Sequence, residues 1–384
     1  MKVLHIITSL HPDGAQQMLK RVVMGQMSGV THAVVSLAAP VGLSEYFRDA
    51  GVELHHLHLR KLCNPFSAAR AFAEVVALSK PDLIHSWLYH ANLISGLTTR
   101  MLGSSAPPLI WGLRGSLVKI RPSTLPLWGV IYWTKCISRT PQRIVANSPV
   151  SLEQHVTLGY PKDRLSFLPN GFDSERIFRN EAVRSELRSK LGIGPTDAAI
   201  LVCGRDDPTK GFPVFLCAFA KVVESVPSAI AIMVGRDVDT SVELTKLISE
   251  MGLHDKVRRV GYTVNPEHYM SAADIGCSSS LSEGFPNVVA ESMLCELPMV
   301  VTDVGMSKDI VGEYGKVVVP GEPIALAEAL IEGIRAGSAT QRQLGKLSRQ
   351  RIVDRYGIAT ILSETRIMYE RLLAANHKGS NGGS

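Results

Sequence analysis

Short apolar runs recur along the chain, separated by amphipathic segments. The first series lies at 3–7, 33–37, 52–57, 83–85, 109–111, 144–146 and 165–168. Each run is short, rich in Val, Ile and Leu, and bounded by polar or turn-forming residues, so each predicts a strand. Alternation of strands with amphipathic segments predicts βα units: a parallel sheet with helices over both faces. A turn-rich stretch, Pro169-Asn170-Gly171-Phe172-Asp173, ends this series, and a highly charged helical segment follows up to residue 191. A second alternating series runs through 198–203, 230–234, 257–260, 273–278, 299–302 and 317–319. Two doubly wound α/β domains account for both. We expect an N-terminal Rossmann-like domain at 1–172 and a C-terminal Rossmann-like domain at 173–356. A helix at 357–377 would return toward the first domain, and 378–384 would form a flexible tail. Ligands of such sheets bind beyond the carboxyl ends of the strands, so the site is expected in the interdomain cleft.

Composition narrows this picture. With 384 residues, 45% hydrophobic and 20% charged, the chain is globular and long enough for about two cores. It has no uncharged apolar run of the roughly 18 residues that a spanning helix needs. The start, MKVLHIITSLHPDG, breaks after one short strand without a cleavable leader pattern. The reading is cytoplasmic, with peripheral contact on the inner face of the cytoplasmic membrane as its extension. Six cysteines are scattered without a CxxC pair and fall mostly in apolar runs, so they read as reduced core residues. The net charge of +6 invites a nucleic-acid reading, but no recognisable nucleic-acid motif accompanies it. Surface lysine and arginine, an anionic membrane or a phosphate-bearing substrate explain it as well. Segment 117–143 mixes Lys119, Arg121, Lys135, Arg139 and Arg143 with Trp128, Tyr132 and Trp133. That mixture suits a membrane interface, and equally a packed helix with a solvated basic rim.

The candidate chemistry centres on Ser282-Glu283-Gly284-Phe285-Pro286-Asn287-Val288-Val289-Ala290-Glu291. Glu283 follows a strand, and Glu291 lies in the opening turns of a helix that Asn287 is expected to cap. Free backbone N–H groups at that helix start would stand between two carboxylate acceptors. Such a site takes an anion flanked by hydroxyls, and a nucleotide sugar fits it. A second stretch, Cys203-Gly204-Arg205-Asp206-Asp207-Pro208-Thr209-Lys210-Gly211, joins a strand to its helix. Arg205 and Lys210 can clamp a diphosphate and stabilise the charge that accumulates as it leaves. Asp206 and Asp207 offer the alternative of a charged turn paired within itself. After the first strand, Gly14 precedes a helix and lets backbone approach a phosphate. The loop is not a GxGxxG, which argues against a nicotinamide or flavin fingerprint.

Taken in order, these motifs resemble the retaining glycosyltransferases of the GT-B fold, the large family-4 group. The resemblance runs from Gly14 through Ile144-Val145-Ala146-Asn147-Ser148, Gly159-Tyr160-Pro161 and the Pro169 turn to Glu283-Gly-Phe-Pro-Asn and Glu291. It implies Glu291 on the ribose hydroxyls and Glu283 on the transferred sugar. Backbone of Phe285, Pro286, Asn287 and Val288 would hold sugar hydroxyls and phosphate. Arg205 and Lys210 match the phosphate pair, Gly14 the first-domain phosphate loop, and Tyr262 the position that receives the base. The resemblance also implies retention of anomeric configuration, a leaving phosphate that helps deprotonate the acceptor, and no required metal or cofactor. Donor and acceptor would be a UDP-sugar and a lipid-linked saccharide of O-antigen, capsule or exopolysaccharide assembly. Within the same site a soluble acceptor, sugar-nucleotide epimerisation or non-catalytic nucleotide-sugar binding are the alternatives.

One departure stands out. Many members carry a histidine after the strand at 109–111, reaching the donor sugar; this chain has Gly112-Leu113-Arg114-Gly115-Ser116. Arg114 can donate to sugar or phosphate but cannot serve as a neutral base. His90 and His85 are then the nearest histidines for acceptor contact. Two patterns are set aside: Asp237-Val238-Asp239, which imitates a metal-binding DxD at a strand exit, and His55-His56-Leu57-His58, whose rings alternate along a strand with no carboxylate partner close in sequence.

Overall fold

The computed structural model describes residues 1–59, 64–117 and 125–381. The chain forms two compact units, 1–171 with 358–384, and 172–357. In the first unit β1 (Lys2–Ile7), β2 (Thr31–Ser36), β3 (Glu53–His56), β4 (Leu83–Trp87), β5 (Leu109–Leu113), β6 (Arg143–Ala146) and β7 (Leu165–Phe167) make a parallel sheet of order β3-β2-β1-β4-β5-β6-β7. β4 and β5 are buried along their whole length. Such continuous apolar strands are what helices over both faces require. Alternation within β1 separates the two layers: Leu4 and Ile6 join Phe72, Ile84 and Trp111 on one face. Val3 and Ile7 join Trp87, Ile110 and Val145 on the other.

That second layer is completed by the last helix, Ile358–Asn381, through Ile361, Leu362 and Tyr369. Gly171 permits its approach, because a Cβ there would lie 2.9 Å from Ile358 Cδ1 and 3.0 Å from Ile361 Cβ. The helix continues to Asn381, past the expected end at 377 and into the stretch expected to be a tail.

The second unit pairs β8 (Ala198–Cys203), β9 (Ala229–Val234), β10 (Val257–Val260), β11 (Ile275–Ser278), β12 (Met299–Thr302) and β13 (Lys316–Val318) in parallel, in the order β10-β9-β8-β11-β12-β13. Both sheets are thus doubly wound, with reversals between β1 and β4 and between β8 and β11. The carboxyl edges at those reversals are where such folds open a crevice for ligands.

Several expectations need revision. Cys136 is exposed rather than in a core, while Cys277 and Cys295 are buried; Cys63 lies outside the described residues. Helix Leu125–Cys136 is apolar nearly all round, yet Leu125, Tyr132 and Trp133 are exposed; Lys119 and Arg121 lie outside the described residues. His55 does have a carboxylate at hand, bonding Glu53 Oε1 at 3.1 Å through Nε2. Among the described residues no group of three or more His, Cys, Asp or Glu is placed to hold a metal ion. Among them, too, no helix is long and apolar enough to cross a membrane.

Candidate active site

In the second unit the loop after β8 and the loop after β11 are fastened together at the strand-order reversal. Leu281 N donates to Thr209 O at 2.7 Å, and Ser279 Oγ donates to Lys210 O at 2.9 Å. The close approach depends on Gly211, at φ +65°, where a Cβ would stand 2.2 Å from Ser279 O. Asp207 shapes the first loop by accepting from Thr209 N at 2.9 Å and Thr209 Oγ1 at 2.5 Å. Burial pushes its carboxyl up, but the Thr209 bonds and the Arg205 charge outweigh this and hold it below its usual value.

The zipped loops bring Lys210 and Glu283 into contact. Lys210 Nζ donates to Glu283 Oε1 at 2.6 Å, and Ser280 Oγ donates to the same oxygen at 2.7 Å. Ser280 is held in turn by Thr302 Oγ1, which donates to its carbonyl at 2.6 Å. From behind, Met306 N donates to Gly284 O at 3.0 Å. Glu283 therefore sits on a loop fixed from three sides. Arg205 lies in the same loop as Lys210 but turns to Asp207, Nη2 to Oδ2 at 3.1 Å, and is half exposed. The alternative of a turn paired within itself holds for Arg205 and not for Lys210.

Beyond Glu283, Phe285 is buried against Phe172 and Tyr356, with ring centroids 5.8 and 5.5 Å apart. This anchor, together with Pro286, sets where the helix Asn287–Leu294 begins. Asn287 is its first residue, and Pro286, the N-cap, has no side-chain oxygen to accept from the backbone, so the expected capping role of Asn287 is corrected. Val289, Ala290, Met293 and Leu294 face the core, leaving Asn287, Val288 and Glu291 half-buried on the opposite face. Glu291 approaches the end of β8: burial first, and the Glu291 charge second, push the Cys203 thiol up to about 12, against the pull of Lys210. Lys210 and Glu283 thus meet beyond β8, and the Glu291 charge is felt at Cys203, the last residue of that strand. Tyr262, after β10, is 55% exposed, an open aromatic surface. Asp237, at φ +67°, faces Arg236, and Asp239 packs against Gly261; the DxD pattern is a strand-exit turn.

In the first unit Gly14 opens the helix Gly14–Met24, whose N-cap Asp13 makes no side-chain cap bond. His90 is exposed near the start of helix Tyr89–Leu102. His85 is different. It is 1% exposed, stacked on Trp87 at 4.6 Å, with Nδ1 2.8 Å from Tyr369 Oη, and burial holds its pKa well below the ordinary value. It is a neutral ring inside the layer rather than an open contact for an acceptor. Arg114 extends over Trp87, Cζ 4.3 Å from the ring, and donates through Nη1 to Asn170 Oδ1 at 3.2 Å. Trp87, Asn170, Tyr369 and Ser280 escaped sequence reasoning. Asn170 lay in a motif already quoted, but its partner is 56 residues away.

Comparison with known proteins agrees with this architecture. Residues 183–351 match the family described as Glycosyl transferases group 1, and residues 18–176 match Glycosyltransferase Family 4. The chain is 28% identical over 261 residues to TuaC of Bacillus subtilis (strain 168), named for a glycosyltransferase of teichuronic acid biosynthesis; the match covers 65% of this chain and 60% of that protein. It is 30% identical over 161 residues to the Campylobacter jejuni N-acetylgalactosamine-N,N'-diacetylbacillosaminyl-diphospho-undecaprenol 4-alpha-N-acetylgalactosaminyltransferase, covering 42% of this chain and 41% of that one. The matched stretches therefore span less than two thirds of these curated relatives. Among solved structures, Anabaena Alr3699/HepE in complex with UDP and glucose superposes with a TM-score of 0.85 at 22% identity, over 97% of this chain and 100% of that one. WaaG, a glycosyltransferase involved in lipopolysaccharide biosynthesis, superposes at 0.72 and 15% identity, over 95% and 98%. These likenesses show the GT-B fold of two Rossmann-like domains.

Proposed function

The chain belongs to the group 1 glycosyltransferases, and from that premise we propose that it is a retaining enzyme moving a hexose or N-acetylhexosamine from a UDP-sugar to a lipid-linked saccharide. The observation that carries the reading is the Lys210–Glu283 contact of 2.6 Å, on loops zipped at the reversal of the second sheet. Glu291 accepts from the ribose hydroxyls. Backbone at Phe285, Pro286, Asn287 and Val288 holds the sugar and diphosphate at the start of the helix. Tyr262 offers its ring to the base, and Gly14 lets the first unit's loop approach phosphate.

In the reaction the bond between C1 of the sugar and the diphosphate oxygen breaks, and its electron pair leaves with the diphosphate. Lys210 and Arg205 supply the compensating positive charge, which stabilises the transition state more than the ground state. The acceptor hydroxyl bonds to C1 on the face being vacated and passes its proton to the departing phosphate. Glu283 accepts from hydroxyls of the transferred sugar and positions it. The contact with Glu283 holds the Lys210 ammonium at the site, where it can also donate to the diphosphate.

The lipid-linked acceptor is supported by the diphospho-undecaprenol in the name of the Campylobacter relative and by the exposed Leu125, Tyr132 and Trp133 on one helix. UDP release from UDP-sugars, with product partitioning into organic solvent, tests the reading. Glu283→Gln and Lys210→Ala should each remove most transfer; near-normal turnover in both variants would sink the mechanism. Product appearing only on a small soluble acceptor, with no retention on anionic vesicles, would replace the lipid-linked assignment.

A further inference from the structure

Arg114 leaves β5 at the carboxyl edge of the first sheet, two strands from β1 and next to the reversal. Its Nε is shut off from solvent and has no hydrogen-bond partner, while Nη1 reaches only the amide oxygen of Asn170. None of the ion pairs among the described residues includes it. The local sequence explains why: residues 83–152 contain seven Lys or Arg and no Asp or Glu, so the neighbouring β4, β5 and β6 bring no counter-ion. Burial lowers the guanidinium pKa to about 10, which still leaves it charged at neutral pH. A guanidinium half withdrawn from water, with its Nε shut off and no anion at hand, is costly to a fold. Its presence at a strand end calls for a ligand.

Buried polar atoms on the two adjoining strands also lack partners, His85 Nε2 in β4 and Asn147 Oδ1 after β6, as does Thr8 Oγ1 after β1, one strand further away. A Cβ at Gly112 would lie 3.5 Å from Arg114 Nε and 3.7 Å from His85 Nε2, so both nitrogens stand over one glycine. Asn147 N bonds Leu113 O at 3.2 Å, which holds Asn147 beside the same strand end. The set is one forked cation with neutral groups on both adjoining strands. A guanidinium fork matches the paired oxygens of a carboxylate or a phosphate, which a lysine point charge does not.

We propose that Arg114 receives an acidic group of the substrate, a carboxylate or a phosphate, and that Asn147 binds a hydroxyl beside it. This rests on the nucleotide-sugar reading above. The acid is either the sugar carboxylate of a uronic-acid donor or an acidic group on the acceptor. His85, held by Tyr369 and Trp87, keeps the floor under Arg114 neutral.

Calorimetric titration of the full chain and of Arg114→Gln and Arg114→Lys, with thermal melts of each, tests it. If the acid belongs to the donor, the wild type should bind UDP-glucuronate at least tenfold more tightly than UDP-glucose. Arg114→Gln should erase that preference and Arg114→Lys should keep part of it. If the acid belongs to the acceptor, the two donors should bind alike. Glucuronate or pyrophosphate, added with UDP already saturating, should then bind the wild type and not Arg114→Gln. In either case the unliganded Arg114→Gln protein should melt no lower than the wild type, since it loses an unpaired charge. Identical behaviour of wild type and Arg114→Gln toward all these anions, or a variant that melts well below wild type with anion binding intact, overturns the proposal. If the proposal is overturned in this way, UDP binding separates the two readings: UDP bound alike by all three proteins leaves the nucleotide-sugar reading standing and only the Arg114 assignment fails, whereas no UDP binding to any of them removes the reading beneath it.

Discussion

Lys210 and Glu283 are 73 positions apart in sequence and share one short contact in the fold. Replacing Glu283 by Gln preserves size and the Ser280 bond but removes the charge that orients Lys210. Turnover should fall roughly 100- to 1000-fold, the loss typical of one preorganised electrostatic group, while the melting temperature stays within a few degrees because both side chains are partly solvated. Steady-state kinetics with a parallel melt checks this, and a large drop in melting temperature with kcat intact would assign the pair to structure alone. Both residues were legible in the sequence because each follows an apolar strand run and precedes a helix signal. Their contact was not, since spacing along a chain says nothing about which loops meet. Asn287 shows the same limit at shorter range: Asn is a good N-cap, but the buried Phe285 and the fixed φ of Pro286 move the helix start onto it.

At the scale of elements, Gly211 decides whether the two site loops can touch. Gly211→Ala must either strain a backbone at φ +65° or push Ser279 away, since its Cβ would lie 2.2 Å from that carbonyl. We expect a loss on the order of 1–3 kcal/mol in denaturant unfolding and weaker UDP-sugar binding; unchanged values in both would show that the loops part without cost. Strand β1 carries a second prediction. Trp87 Nε1 donates to His5 Nδ1 at 3.2 Å, so the proton of His5 lies on Nε2 and is given to His32 Nδ1 at 3.0 Å. Burial holds His5 well below its ordinary pKa and brings His32 down from 6.5 to about 4. The unfolded chain therefore binds more protons than the folded one below pH 6.5, and stability is lost as pH falls from about 6.5 toward 4. His32 alone accounts for roughly 3 kcal/mol. Melts from pH 7 to 4.5 should show this decline and His32→Gln should flatten it; equal slopes would remove His32 as its source. The strands themselves were readable because doubly buried strands are continuous apolar runs. This buried histidine chain was not, because a histidine at a strand position has the same spacing whether it faces water or a tryptophan.

For the whole molecule, the last helix carries the prediction. The sequence led us to expect a helix at 357–377 directed toward the first domain, but not which side chains it would bury there. The described structure assigns Ile361, Leu362 and Tyr369 to the first unit's second layer, with Tyr369 also reaching His85. Burying three such side chains is worth roughly 1.5–3 kcal/mol each, so their removal costs about 5–9 kcal/mol against the 5–15 kcal/mol by which a domain is usually stable. The second unit, 172–357, holds its own two core layers without that helix. A chain stopped after Gly357 should therefore lose the cooperative melting of the first unit and its protection from protease, while residues 172–357 survive limited digestion as a folded fragment. Tyr369→Phe, which keeps the packing and removes the hydroxyl at His85, should retain both folded units. If the truncated chain digests as slowly over residues 1–171 as the full chain does, the first unit folds without its last helix and the accounting above fails.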